Sequence, residues 1–175
     1  LARAGVPVTV IEKHDDFLRD FRGDTIHPST LEVMAVLGLL DEFLALPHQQ
    51  APALYAEIDG RTAKIADFSR LPTCCKFIAF MPQWDFLDFL ARKAAAYPGF
   101  RLLMGCQVVG LVEEDGAVQG VRIIERGNEK TIRASLTVGA DGRESIVRHE
   151  AGVEIEDLGS NVDVLWLRVA RRPDD

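Results

Sequence analysis

A short stretch in the last quarter of the chain combines a carboxylate, a glycine, a hydroxyl and a guanidinium. Asp141 and Gly142 follow the apolar residues 136–140, and Ser145 and Arg148 come shortly after them. A carboxylate accepts hydrogen bonds from ligand hydroxyl groups, glycine permits close backbone approach, and a helix start favours anions. We expect Ser145 to cap a short helix and Arg148 to face back toward Asp141 or a phosphate. The alternative is an ordinary turn with a helix cap and a surface arginine.

A second carboxylate stands at the end of an apolar, β-branched run. Residues 6–11 read Val-Pro-Val-Thr-Val-Ile, and Glu12 follows at once. An acid at the carboxyl end of a buried parallel strand is the ribose-binding position of dinucleotide folds, about 20 residues after a glycine-rich turn. That turn would lie before Leu1, because only 11 residues precede Glu12. The alternative is a plain charge where the chain leaves a sheet.

The histidines and cysteines do not form a catalytic or metal-binding constellation. They are His14, His27, His48, His149, Cys74, Cys75 and Cys106. The histidines are scattered, and an odd cysteine count with two adjacent residues suits neither a disulfide framework nor tetrahedral zinc. We therefore expect inert thiols, a reducing cytoplasmic location, no metal and no catalytic side chain in this chain.

Periodicity and turn residues predict the elements that position these groups. The predicted order is a buried strand at 6–11, a helix at 28–46, a hairpin at 54–68, a strand at 77–81, a helix at 83–97, a strand at 100–104, a meander at 108–134, a buried strand at 136–140 and a helix at 145–151. Pro28 suits a first helical turn, and Ser29 and Glu32 have the spacing of a capping box. This order predicts an α/β fold with an antiparallel insertion.

Composition limits the classes of protein to which the chain can belong. It has 175 residues, 47% of them hydrophobic, and a formal net charge of −7. These values fit one domain or a large piece of one, and they argue against global disorder and against nucleic acid as the main partner. No apolar run approaches the roughly 20 residues of a membrane span. Because the chain opens on Leu1 in what resembles the last turn of a helix, we expect an internal fragment of a longer protein.

Three stretches together resemble the FAD-dependent monooxygenases of the para-hydroxybenzoate hydroxylase type, a large family of aromatic hydroxylases. They are residues 8–13, with the ribose-binding acid; 22–32, like the arginine loop and following helix; and 138–148, like the second fingerprint. The resemblance covers essentially the whole chain. It implies a Rossmann-like FAD-binding domain, made of a parallel sheet with helices, with an antiparallel β-meander insertion and part of a substrate-side β-sheet. The FAD-binding parts would be 1–50 and 80–160, and the substrate-side parts 51–79 and 161–175.

The resemblance also implies a set of cofactor-binding positions. They are Glu12 for the adenosine ribose, Arg22 for the pyrophosphate and ribityl region of FAD, Gln83 for the ribityl or phosphate portion, Val108 for the adenine, and Asp141, Gly142 and Arg148 in the second fingerprint. Two family motifs, the first glycine-rich fingerprint and a late Gly-Asp motif, are absent from these 175 residues.

The activity that the resemblance implies belongs to the longer parent protein. It is an FAD-dependent, NAD(P)H-consuming monooxygenation of an aromatic or quinone-like small molecule through a flavin C4a-hydroperoxide. A flavin-dependent reductase on the same scaffold and a non-catalytic nucleotide-binding fragment are the alternatives. No position of the sequence assigns the substrate, the choice of NADH or NADPH, or the oligomeric state.

Overall fold

The computed structural model describes residues 1–18, 23–159 and 165. The strands are β1 (Val8–Ile11), β2 (Thr25–Ile26), β3 (Gln49–Ala51), β4 (Ala53–Ile58), β5 (Arg61–Asp67), β6 (Ile78–Phe80), β7 (Phe100–Leu103), β8 (Cys106–Glu114), β9 (Ala117–Glu125) and β10 (Asn128–Arg133). The helices are α1 (Pro28–Leu37), α2 (Leu40–Leu44), α3 (Gln83–Ala94) and α4 (Ile146–Glu150). A parallel strand pair, antiparallel sheets and helices together confirm the predicted α/β class.

The described residues form two compact units. One unit contains residues 1–16, 93–159 and 165, and the other contains residues 17–18 and 23–92. These limits differ from the functional division expected near residues 50, 80 and 160, and that functional division stays a prediction. Among the helices of the described residues, none combines the length and the apolarity that crossing a membrane requires.

The first unit contains the parallel pair β1 and β7. Their register runs from Val8 opposite Phe100 to Ile11 opposite Leu103. The parallel arrangement was predicted for β1, but its burial on both faces was not found, because Val10 is 41% exposed. Within the described residues, β7 is the one strand that pairs with β1, so one edge of β1 has no strand beside it.

The meander β8–β9–β10 also belongs to the first unit, and its formation confirms the prediction. Two-residue turns join the strands, and both residues of each turn, Asp115-Gly116 and Arg126-Gly127, have positive φ. Such turns match the twist of antiparallel strands, which is why an Asp-Gly pair is a strong hairpin signal. Cys106 and Ile123 are 1% exposed and form the core of the meander with Val121. Helix α4 packs against β8.

The second unit contains two antiparallel sheets and the largest apolar core. The strand order of one sheet is β2–β6–β3, and the predicted hairpin is present as β4–β5 with its turn at Asp59-Gly60. Phe43 and Leu31 are fully buried, and the ring centroid of Phe43 lies 5.6 Å from those of Phe86 and Phe89. The predicted second helix is confirmed as α3, and its Phe86 and Phe89 side chains belong to this core.

The single helix predicted over residues 28–46 is wrong, because the chain forms two helices there. Gly38 ends α1 in the left-handed conformation, with φ 71°, and its N–H donates to the carbonyls of Ala35 and Met34. A new helix, α2, begins at Leu40. The helical spacing of apolar residues continues across the break. The sequence pattern therefore predicted one helix, although Gly38 is a residue that commonly ends helices.

The predicted capping box of α1 is also wrong. His27 occupies the cap position, without a side-chain hydrogen bond to the helix, and Pro28 stands in the first turn as predicted. Glu32 is therefore available for a tertiary contact, and its carboxylate accepts a hydrogen bond from the Cys74 backbone N–H. A capping box needs its serine at the cap, and here Ser29 is the second residue of the helix, two positions after the cap.

The buried strand predicted over residues 136–140 is not formed. These residues have no strand assignment, and Leu136 and Val138 are each 73% exposed. An apolar, β-branched segment becomes a buried strand only between neighbouring strands. None of the strands in the described part of the chain pairs with this segment.

Candidate functional site

Backbone hydrogen bonds hold the carboxyl end of β1 against the turn that follows β7. The Glu12 N–H donates to the Leu103 carbonyl at 2.9 Å, and the Cys106 N–H donates to the Glu12 carbonyl at 3.0 Å. Two residues further on, the Gly105 N–H donates to the His14 carbonyl at 2.8 Å. The backbone of Glu12 is thereby held on both sides, and its side chain starts from a well-defined position.

The Glu12 carboxylate is oriented by His14, two positions later in the sequence. Its Oε1 accepts a hydrogen bond from the His14 backbone N–H at 2.9 Å and lies 2.7 Å from the His14 ring Nδ1. The Glu12 side chain is 29% exposed, so the group is partly desolvated and still accessible to a ligand. A carboxylate placed in this way at the end of a parallel strand suits the hydroxyl groups of an adenosine ribose.

A second oriented carboxylate, Asp141, stands before α4. Its Oδ1 accepts from the Ser145 hydroxyl, and its Oδ2 accepts from the Val147 N–H at 3.2 Å. Ser145 is 8% exposed, and its Oγ accepts from the Arg148 N–H at 3.0 Å, which confirms the predicted cap. Partial burial alone would raise the pKa of Asp141, but the hydrogen bonds from Ser145 and the backbone outweigh it and hold the pKa below its usual value. Asp141 is therefore ionised at neutral pH.

The Arg148 side chain does not face Asp141 as expected. Its guanidinium donates instead to the Arg143 carbonyl, across the turn that contains Gly142. Gly142 has φ 83°, a backbone conformation that side chains disfavour, so this turn requires its glycine. The expected contact of Arg148 with a phosphate stays a prediction.

Gly139 is a residue of this segment that sequence reasoning missed. A Cβ added at Gly139 would lie 2.9 Å from the Val147 Cβ, which is closer than real carbon atoms approach. Glycine at this position allows the segment before Asp141 to contact α4 directly. The one signal in the sequence is a glycine two residues before Asp141.

Strand β8 contacts the two elements that lie next to these carboxylates in the first unit. Both β1, which leads into Glu12, and α4, which is capped beside Asp141, contact β8. Val108, also on β8, is half-buried and packs against the core around Cys106 and Ile123. The structure therefore places five of the predicted residues in one unit: Glu12, Val108, Asp141, Gly142 and Arg148.

The two other predicted residues are Gln83 and Arg22. Gln83 is the first residue of α3, in the second unit. Arg22 lies outside the described residues.

Two of the thiols, those of Cys74 and Cys106, show no sign of activation. A hydrogen bond to the Glu32 carboxylate, together with burial, raises the pKa of the Cys74 thiol to about 11, and burial raises the pKa of Cys106. Both thiols are protonated at neutral pH, as expected for inert cysteines. Within residues 1–18 and 23–159, no group of three or more His, Cys, Asp or Glu side chains is arranged to hold a metal ion.

The sequence of this chain is similar to those of a known family and of known proteins. The profile of a family described as FAD binding domain matches residues 1–174. The chain is 33% identical over 170 residues to 6-methylpretetramide 4-monooxygenase of Streptomyces rimosus, which covers 97% of this chain and 41% of that protein. It is 32% identical over 163 residues to rifampicin monooxygenase of Streptomyces venezuelae, which covers 92% of this chain and 32% of that protein.

A solved structure shows the same fold. It is p-nitrophenol 4-monooxygenase PnpA from Pseudomonas putida, with a TM-score of 0.75 at 21% identity, over 86% of this chain and 38% of that one. The present chain thus spans between 32% and 41% of the lengths of these three proteins.

Proposed function

We propose, from the premise that this chain belongs to the FAD binding domain family, that it is part of an FAD-dependent monooxygenase acting on an aromatic or quinone-like small molecule. The observation that carries the proposal is a pair of oriented carboxylates. Glu12 directly follows β1, Asp141 precedes α4, and both β1 and α4 contact β8. The names of the relatives, three monooxygenases, support the reaction class.

The described residues fit the chemistry of FAD. Glu12 would accept hydrogen bonds from the adenosine ribose, since its carboxylate is partly buried and held by His14. Asp141 would accept from ribityl hydroxyls or order water beside the pyrophosphate, because its two oxygens are already oriented by Ser145 and Val147. Gly142 keeps the turn at Asp141 in a conformation that leaves space around its α-carbon.

The family resemblance assigns four further residues to FAD binding. Arg22 would bind near the pyrophosphate and ribityl region, where a planar guanidinium offers several donors. Gln83 would bind the ribityl or phosphate portion, the Val108 backbone would approach the adenine, and Arg148 would contact a phosphate. Resemblance to the family supports these four assignments.

The chemistry of the reaction would come from the cofactor, and the chain would hold it in place. Bound FAD, with NAD(P)H as electron donor, would supply the oxygen-transfer chemistry that the resemblance implies. The described side chains bind and orient, and none of them is assigned a proton transfer. The three free cysteines support a reducing, cytoplasmic location as a further part of the proposal.

The visible absorption spectrum of the longest available form of the protein tests this proposal. We expect flavin bands that disappear on addition of NAD(P)H and return in air, with faster NAD(P)H oxidation when a suitable phenol is present. Flavin reduction without oxygen transfer to any phenol would favour the flavin-dependent reductase. A full-length protein that binds no flavin would contradict the proposal and favour a non-catalytic nucleotide-binding protein.

A further inference from the structure

Asp24 in the second unit has a carboxylate oxygen whose partner is not accounted for. Its Oδ1 is buried from solvent and accepts no hydrogen bond, and it is the one such side-chain oxygen among the described residues. Native proteins pair nearly all buried polar atoms, so an exception calls for an explanation such as a bound ligand. The sequence does not reveal this feature, because Asp24 simply precedes the two-residue strand β2.

The backbone places Asp24 beside the segment that carries Gln83. The Asp24 carbonyl accepts a hydrogen bond from the Met81 N–H at 2.9 Å, and the next residue, Thr25, pairs with Phe80 of β6. Gln83 begins α3 two residues after Met81. Asp24 also follows Arg22 by two positions in the sequence. Asp24 therefore pairs with the segment that leads into Gln83, a residue that the proposed function assigns to FAD.

We propose that Asp24 is a further FAD-binding residue whose buried Oδ1 accepts a hydrogen bond from a ribityl hydroxyl group. This inference rests on the proposed function. The chemistry selects the ribityl chain, because a carboxylate repels the anionic pyrophosphate and accepts readily from a neutral hydroxyl. The ligand would thereby provide the donor that the described residues do not provide.

Titration of the apo form of the longest available protein with FAD and, separately, with ADP tests this role. ADP contains the adenosine and pyrophosphate parts but no ribityl chain. We expect Asp24→Ala to weaken FAD binding by about 10- to 100-fold, the range for a lost hydrogen bond to a charged group, and to change ADP binding by less than about twofold. Asp24→Asn keeps a carbonyl acceptor and should lose less FAD affinity than Asp24→Ala.

Asp88→Ala is the matched control, because Asp88 is an exposed acid on α3 in the same unit. We expect it to leave both affinities unchanged. If Asp24→Ala binds FAD as tightly as the wild type, or loses FAD and ADP affinity equally, the assignment of Asp24 is wrong while the proposed function stands. If the wild-type protein itself binds no FAD, the proposed function fails. Should Asp24→Ala not fold, Asp24→Asn and its intermediate loss decide the question.

Discussion

At the scale of single residues, Glu12 is central to the nucleotide end of the proposed site. Glu12→Ala removes the carboxylate that follows β1, and we expect the dissociation constant for FAD to rise about 10- to 100-fold, because hydrogen bonds to a charged acceptor are lost. Quenching of FAD fluorescence on titration with the apoprotein measures this constant. Glu57→Ala, at an exposed acid on β4, is the control. Equal affinities for the two variants would exclude Glu12 from the site.

Ser145 has two tasks, since it caps α4 and donates to Asp141. Removing a serine cap costs about 1 kcal/mol, so Ser145→Ala should lower the free energy of unfolding by about that amount at pH 7. Urea unfolding measures the difference. Ser135→Ala, at an exposed serine of the segment before Asp141, should change this free energy by less than about 0.5 kcal/mol.

The pH dependence of the same variant follows from the lowered pKa of Asp141. A carboxylate whose folded pKa lies below its unfolded value of about 3.9 stabilises the protein above that pH. This stabilisation disappears as the pH falls through the folded pKa. The difference between wild type and Ser145→Ala should therefore be largest above about pH 4 and should narrow below it. A difference that grows toward pH 2 would contradict the ionised state of Asp141.

At the scale of elements, Gly38 determines where α1 ends and α2 begins. Gly38→Ala places a side chain at φ 71°, and we expect a loss of about 1–2 kcal/mol, because nothing crowds the new Cβ and the cost is conformational. Gly38→Asn is the matched variant, since asparagine tolerates this conformation better and should lose less stability. Thermal unfolding of both variants measures the difference. Equal losses would indicate a steric cause.

Local signals explain which elements the sequence predicts. The hairpin turns at Asp59-Gly60 and Asp115-Gly116 depend on residues that accept positive φ, and both were predicted. The break at Gly38 was missed, because helical apolar spacing continues past it. The strand over 136–140 was predicted from composition, yet a strand depends on its neighbours and none of the described strands lies beside it.

The same distinction holds for the candidate site. Glu12 and Asp141 are recognisable because each stands where an apolar segment ends. Gly139 and Asp24 were not recognised, since their importance depends on contacts made by distant parts of the chain. The Cβ clash at Gly139 requires α4, and the burial of the Asp24 Oδ1 requires its tertiary surroundings.

At the scale of the whole chain, several large apolar side chains are exposed in the second half. Leu136 and Val138 are each 73% exposed, and Leu158 is 85% exposed. Exposed apolar surface, where it is contiguous, marks an interaction site or an aggregation hazard. We expect the 175-residue chain to bind a hydrophobic dye such as ANS, whose fluorescence measures the exposed apolar surface.

Substitution within this segment tests the source of the dye binding. The double variant Leu136→Thr, Val138→Thr should bind less dye, with a change in the free energy of unfolding below about 0.5 kcal/mol, because both side chains are exposed. Thr137→Ser, between them, is the control and should leave the dye signal unchanged. Unaltered dye fluorescence in the double variant would place the dye elsewhere.

The strand pairing of the first unit has a consequence for the order in which it folds. Two-residue turns join neighbouring strands of the meander. Val8 of β1 pairs with Phe100 of β7, so these strands can pair only after a loop of roughly ninety residues has closed. Contacts between sequence neighbours form early, and contacts between distant segments form late. The meander should therefore be the nucleus of the unit, with β1 docking last. Destabilising substitutions in β9 would then slow refolding, while those in β1 would mainly speed unfolding.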